Sequence, residues 1–297
     1  MGTHDSEPED FVGLRSRVGG FVEPSNLDEY AQKYRDHVVL TRDDGVLTFR
    51  IHHDDGPAVM GFPARNAWLR AMREVAADRE NEVVVFTGTG DRWLGQLNPA
   101  SYARLNDSRP EVLYEHHYRE TQRLLEVLLN DFEVPTIAAL NGPADGFTFA
   151  LMTDLVIASD TAVVTDTHFA VGAPPGDGLA LVLQGLMGPR RAAAAVYLCE
   201  ELDAATMLQL GIVNEVVPHS QVLSRALDVA AELMRAPETT RRATHSIVSR
   251  PLRHLFARDQ EAHLAQEMYA LQLEMQAGTQ QMHRRQQAAA ERNGATS

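Results

Sequence analysis

Cysteine occurs once in the 297-residue chain, as Cys199. That excludes an intramolecular disulfide framework and a cysteine-rich metal site. Its surroundings, V-Y-L-C-E, read as helix, with the thiol as a small packed side chain. Lysine is as scarce: Lys33 stands alone among 27 basic residues, the rest being arginine. Against 41 acidic residues the net charge is −14. Nucleic acid is therefore not an expected partner, because phosphate binding runs on clustered cations. No stretch reaches the roughly 18 consecutive apolar residues of a membrane helix. The opening M-G-T-H-D-S-E-P-E-D is acidic and polar, unlike a secretory signal, a transit peptide or a myristoylation site. No membrane partner is expected, and the expected compartment is the cytoplasm. A dinucleotide fingerprint is missing after the first strand, and G-T-G-D-R lacks the Gly-Lys-Ser/Thr of a phosphate loop. Neither a cofactor nor a metal is expected.

What is present is ordinary in bulk, 44% hydrophobic and 23% charged, as in globular proteins. A chain this long buries about three quarters of its unfolded surface without staples. Residues 1–26 are charged and without period, and the flexible leader is placed at 1–33. H-V-V-L-T-R-D-D-G-V-L-T-F-R-I is two β-runs joined at Asp44-Gly45, a hairpin signal because glycine tolerates positive φ. Ala64, Ala67, Trp68, Ala71 and Val75 fall at helical spacing over 63–78. E-V-V-V-F-T-G-T-G, V-P-T-I-A-A-L-N-G-P and L-V-I-A-S are continuous apolar runs, suited to strands covered on both faces. A helix over 111–130 carries Leu124, Leu125, Val127, Leu128 and Leu129. Another is capped near Gly176-Asp177 and closed by Gly188. Residues 221–276 read as nearly all helix, and 277–297 as a frayed tail. Buried strands alternating with helices predict an α/β protein with parallel packing. The boundaries are a core at 34–218 and a C-terminal helical region at 219–276.

Four segments resemble the crotonase (enoyl-CoA hydratase/isomerase) superfamily in order and spacing: V-V-V-F-T-G-T-G-D-R-W-L-G-Q-L-N, I-A-A-L-N-G-P-A-D-G, G-A-P-P-G-D-G and E-L-D-A-A-T-M-L-Q-L-G-I-V-N-E-V-V. The resemblance covers about residues 34–270. It implies a spiral of ββα units with a C-terminal helical trimerisation region, and hence a homotrimer or a hexamer made as a dimer of trimers. It also implies an oxyanion hole, two backbone N–H groups aimed at the oxygen where enolate charge grows. One donor is assigned to Gly95, the other to Asp145 or Gly146. Turn geometry alone is the plainer reading of these glycines.

Hydratases of the superfamily place two glutamates over the double bond. Here those places hold Thr148 or a neighbour, and His168. A general acid–base pair cannot be rebuilt from threonine and histidine without changing the reaction. His168 is followed nine residues later by Asp177, and a carboxylate beside an imidazole fixes its tautomer and raises its basicity. D-x-H-F with P-G-D-G resembles the β-diketone hydrolase branch typified by 6-oxocamphor hydrolase. That resemblance implies a small, alicyclic 1,3-diketone substrate cut by a retro-Claisen step. His168, oriented by Asp177, would take a proton from water; the carbon–carbon bond would break to leave an enolate.

Glu267 sits where the branch carries a further active-site carboxylate; its plainer reading is a solvated helix face. Two branch histidines are absent, one near Asn66 and one in the loop Asp145–Phe147. Tyr114, His116, His117 and Tyr118 offer a replacement. Adjacent histidines cannot share a helix face, so at most one of His116 and His117 points inward. Trp93, Phe147 and Phe169 are candidates for an apolar pocket or for plain core. R-R-A-T-H-S-I-V-S-R and R-H-L-F-A-R are basic patches suited to acidic neighbours across subunits or to a CoA phosphate. The competing readings are a CoA-thioester isomerase, lyase or dehalogenase-like enzyme, with Asp177 as nucleophile or base, and a catalytically degenerate subunit.

Overall fold

A computed structural model describes residues 25–95, 98, 110–145 and 149–276. Strands β1 (Val38–Asp43) and β2 (Val46–Ile51) form the hairpin expected at Asp44-Gly45. Both turn residues take positive φ, 42° and 80°, the conformation a two-residue hairpin of this hand demands. The strands β3 (Val83–Thr87), β4 (Thr136–Leu140), β6 (Leu155–Ser159) and β9 (Glu215–Val217) then extend one sheet in the order β1-β2-β3-β4-β6-β9. Beyond the hairpin each neighbouring pair is parallel. A smaller sheet holds β5 (Ala144–Asp145), β7 (Val163–Thr165) and β8 (Leu202–Asp203). The chain alternates between the two sheets as it advances, β4 then β5, β6 then β7, which winds it into a spiral.

The continuous apolar runs are explained by what covers them. Side chains alternate across a strand. Val84, Phe86, Ala138, Leu140, Val156 and Ala158 face the main core. Val83, Val85, Ile137, Ala139 and Ile157 face a second cluster closed by Val222, Ala226 and Ala230. Those three belong to a helix of the C-terminal region (Val222–Met234), whose alanines let it lie close on the sheet.

Helix α1 (Leu27–Tyr34) is part of this body, since Tyr30 and Tyr34 are buried. The leader placed at 1–33 therefore gives way to packed structure by Leu27. The reason is in the pattern: Asn26 caps the helix through its side chain, and the two tyrosines lie four apart on one face. Helix α2 (Phe62–Ala77) buries Ala64, Trp68, Ala71 and Val75, while Ala67 is half-buried. The stretch expected at 111–130 is helical from Pro110 to Asp131, but in four parts: α3 (Pro110–Leu113), a π turn (Tyr114–Arg119), α4 (Glu120–Glu126) and a second π turn (Val127–Asp131). Such i→i+5 turns recur at functional sites. F-T-F-A-L-M-T-D contains a 3₁₀ turn (Phe149–Met152). Next come α5 (His168–Val171), α6 (Leu179–Met187) and α7 (Pro189–Leu198). Cys199 lies just past α7 as its left-handed cap, φ 48°, and not within the helix.

After α8 (Ala204–Gln209), the C-terminal region comprises α9 (Val222–Met234), α10 (Glu238–Val248) and α11 (Arg250–Gln276). The basic patch on α10 is spent within the chain, not held for a phosphate. Buried Arg241 bonds Glu82 and the carbonyls of Met234 and Ala236. Arg242 pairs with Glu82 and Glu238. Among the described residues no helix is long and apolar enough to cross a membrane. The tail at 277–297 lies outside the described residues.

Candidate active site

His168 opens α5 just after β7 leaves the small sheet. Asp166, two residues earlier and buried, holds it twice with one oxygen. Oδ1 accepts the backbone N–H of His168 at 3.1 Å and faces ring Nδ1 at 2.8 Å. The carboxylate therefore sets both where the helix begins and which way the imidazole points, an Asx turn extended to a side chain. Asp166 is the partner that the sequence reading passed over in favour of Asp177. Asp177 stands on the opposite side of the ring, with Oδ2 3.7 Å from Nε2. Its other oxygen accepts the Leu179 N–H at 3.2 Å, capping α6.

The glycines of P-G-D-G explain how Asp177 reaches this place. A Cβ on Gly176 would lie 2.6 Å from Glu267 Cβ, so only glycine lets the loop press against α11. Gly178 has φ 108°, and a Cβ there would meet the Phe256 ring at 2.9 Å, which again favours glycine. Gln260 ties the loop down by donating to the Gly176 carbonyl at 2.8 Å.

Glu267 thereby enters from α11 at 2% exposure, so the solvated-face reading fails. Its Oε1 lies 2.9 Å from His117 Nε2 and 3.9 Å from His168 Nε2. Of the adjacent histidines one points inward: His117 meets Glu267, whereas His116 is exposed and rests its ring on Phe62. Two further buried charges border the cluster, Arg65 of α2 and Glu120 of α4. Arg65 bonds Thr121 Oγ1. A sequence signal for both existed. Arg65 lies three residues before Trp68 and seven before Met72 on the buried stripe, and Glu120 lies four before Leu124.

Charge follows geometry. Burial alone would lower the His168 imidazole, but Asp177, Asp166 and Glu267 together outweigh it and raise its pKa to about 10. Burial pushes Asp177 up, with Glu267 and Asp166 adding to it and His168 opposing, to about 6. Burial would raise Glu267 too, yet His117 above all, with His168 and Arg65, holds it below the ordinary carboxylate range. Glu120 is raised by burial to about 7 against Arg65 and Arg70. The cluster is an imidazolium caged by carboxylates, with its Nε2 side outside hydrogen-bond distance of either one.

Other expected site residues fall elsewhere. Gly95 donates its N–H to the Ala58 carbonyl at 2.7 Å. That amide is engaged with protein and is not presented to a substrate oxygen, a correction to its oxyanion-hole assignment. Asp145 ends β5, paired with Thr165 of β7; Gly146, Phe147 and Thr148 lie outside the described residues. Trp93 is core and not pocket wall, fully buried with its ring 5.2 Å from Phe149. Phe169 is half exposed, edge-on to Tyr197, and lines a cavity of about 600 Å³ with Pro174, His263 and Leu273. Asn66 is half-buried on α2, beside Arg65.

The fold matches known proteins. The chain belongs to the enoyl-CoA hydratase/isomerase family, whose model matches residues 65–291. It is similar to a β-diketone hydrolase from the cyanobacterium Anabaena, solved bound to (S)-3-oxocyclohexyl acetic acid, with 30% identity and TM-score 0.77 over 82% of this chain and 96% of that one. It is also similar to the hydroxycinnamoyl-CoA hydratase-lyase of Pseudomonas fluorescens, 26% identical over 68% of this chain and 75% of that one. A 4-chlorobenzoyl coenzyme A dehalogenase of Arthrobacter is 26% identical over 68% of this chain and 73% of its own.

Proposed function

We propose that the protein is a carbon–carbon bond hydrolase that opens a small, alicyclic 1,3-diketone by a retro-Claisen step. The observation that carries this reading is His168, held at Nδ1 by Asp166 at 2.8 Å, with Nε2 beside two carboxylates and without a hydrogen bond among the described residues. Likeness to the β-diketone hydrolase of Anabaena supports it. A ring ketone bearing an acetic acid arm is what remains when water opens one ring of a bicyclic 1,3-diketone. In the reaction His168 Nε2 takes a proton from water as the water oxygen bonds to one carbonyl carbon. The bond to the central carbon then breaks, and its electron pair becomes the enolate of the second ketone. Only a 1,3-dicarbonyl gives so stabilised a leaving carbanion. The enolate oxygen calls for backbone N–H donors, a contribution of about 3 kcal/mol each. Protonation at carbon completes a keto acid. Asp177 is the neighbour that draws the proton toward Nε2 and Asp166 the one that aims the ring.

His168 cannot accept a proton while it carries one, so its resting charge must leave before water is activated. That requirement sets the order of events.

The assembly expected for this reading is a trimer or a pair of trimers. Phe169, Tyr197, Leu198, Tyr269 and Leu273 are exposed apolar side chains suited to contact between copies.

The test mixes the pure protein with cyclic and bicyclic 1,3-diketones and follows loss of enol absorbance for the first and appearance of the keto acid for the second, whose bridgehead carbon cannot enolise. Turnover that disappears in His168→Ala is expected. No turnover across the panel, with His168→Ala indistinguishable from wild type, removes the reading. A CoA-thioester reaction is the second reading, favoured by the names of the two 26%-identical relatives. Micromolar binding of CoA by calorimetry without diketone cleavage would select it.

A further inference from the structure

Two imidazoles converge on one carboxylate oxygen. Glu267 Oε1 is 2.9 Å from His117 Nε2 and 3.9 Å from His168 Nε2. The remaining nitrogen of His117, Nδ1, is buried and has no hydrogen-bond partner among the described residues. His168 thus has its carboxylate at Nδ1 and its open nitrogen at Nε2; His117 has the reverse. The two rings are opposed dyads that share Glu267.

We infer that Glu267 Oε1 joins His168 and His117 into one proton-carrying unit, in which His168 acts on water and His117 is the separate acid that protonates the enolate through Nδ1. The inference rests on the retro-Claisen reading and completes its proton balance. The proton resting on His168 passes by Glu267 Oε1 to His117, which leaves Nε2 of His168 free. His168 then takes a proton from water as the C–O bond forms. The C–C bond breaks with its pair going to the enolate. His117 gives its Nδ1 proton to the enolate carbon, His168 keeps the proton taken from water, and His117 exchanges its Nε2 proton for one at Nδ1 with solvent. Diketone and water become keto acid, and the protein ends as it began. The groups facing the unit are Asp166 beside α5, Asp177 ahead of α6, Arg65 of α2 and Glu120 of α4. His168 is charged at neutral pH because of the carboxylates around it, so a discharge route of this kind is a requirement and not an embellishment.

Wild type, His117→Gln and Glu267→Gln are compared in D2O on a bicyclic 1,3-diketone whose bridgehead central carbon cannot enolise and so does not exchange beforehand. Loss of a positioned acid lowers rates about 10²-fold or more. His117→Gln is therefore expected to lower kcat about 10²-fold, to leave KM within about threefold, and to spread deuterium over both faces of the new CH centre where wild type labels one. Unchanged kcat with single-face labelling overturns the inference. A second arm needs no turnover: the imidazoles of ¹⁵N-histidine protein are titrated by NMR. Coupled curves in which His117 and His168 share a step, with that shared step lost in Glu267→Gln while any step owed to Asp177 stays on His168 alone, are expected. Curves in wild type that share no step overturn the proton link even where no diketone is cleaved. Coupled curves without diketone cleavage keep the link and dismiss the retro-Claisen reading alone. Should Glu267→Gln not fold, the presence or absence of a shared step in wild type decides the matter.

Discussion

Two histidines, one half-buried and one buried, carry an aspartate at the same distance, and they do different things. His168 meets Asp166 and His245 meets Asp154, each 2.8 Å from Nδ1. Around His245 everything else is closed. Its Nε2 faces the Phe132 carbonyl at 3.0 Å, and Asp154 Oδ2 also takes the Thr136 backbone N–H and hydroxyl at 2.8 and 3.0 Å. That pair pins α10 to the foot of β4. Around His168 the second nitrogen meets, among the described residues, two carboxylates at 3.7 and 3.9 Å. A histidine–aspartate pair is thus no mark of chemistry in itself. The mark is a second nitrogen that the fold leaves unbonded while surrounding it with charge.

The sharpest way to break this comparison is to delete each ring. His168→Ala is expected to cost diketone turnover per folded molecule at least about 10³-fold and to lower the thermal midpoint as well, because it leaves the buried Asp166 carboxylate unpaired. Steady-state kinetics with thermal denaturation checks both. A His168→Ala protein retaining a tenth of the wild-type rate would put His168 in the same structural role as His245. Asp166→Asn comes next. It keeps the shape of the turn but lets an amide contact Nδ1, so the ring's tautomer and aim are no longer fixed; kcat should fall about 10²–10³-fold with KM little changed. His245→Ala costs stability alone. It strands the Asp154 carboxylate at a buried site, which costs about 3 kcal/mol of stability, seen as a shift in the denaturant midpoint, while kcat per folded molecule stays at wild type.

The contrast also shows what a sequence can carry. The hairpin at Asp44-Gly45 and the parallel strands were legible because backbone conformation and burial leave local marks: an Asp-Gly turn, and runs such as V-V-V-F-T covered on both faces. His168 stood out because the resemblance to hydratases implies glutamate at its place. Its true orienter was harder to see. Asp166 acts through a two-residue turn that looks like any loop carboxylate, whereas Asp177 drew notice through its glycines. Glu267 arrives from 99 residues beyond His168, and its burial depends on Gly176 yielding space to α11. Nothing in H-L-A-Q-E-M records that. The Gly95 amide failed for the same reason: its acceptor, the Ala58 carbonyl, is fixed by tertiary approach and not by the glycine. The patch on α10 shows the reverse error, since Arg241 and Arg242 read as surface cations until Glu82 is folded beneath them.

The smallest expected effect is a slope, and it bears on the charge of the ring directly. In the folded chain His168 titrates near 10, against about 6.5 for an exposed histidine. The native state therefore holds this proton more tightly than the unfolded one. Its contribution is complete below pH 6.5 and is lost as pH rises toward 10. Asp177, raised to about 6, has the same sign, unlike most paired carboxylates. Its contribution fades between about pH 4 and 6, so the window from 7 to 10 belongs to the imidazole. Denaturation midpoints measured across that window should fall in wild type and stay flatter in His168→Gln, a difference of about 1–2 kcal/mol once the partial exposure of the ring is allowed for. Parallel slopes in the two proteins would mean that the three carboxylates do not hold a charged ring. Nε2 would then be a base from the outset, water could be activated without any prior proton movement, and Glu267 would have no proton to pass on to His117.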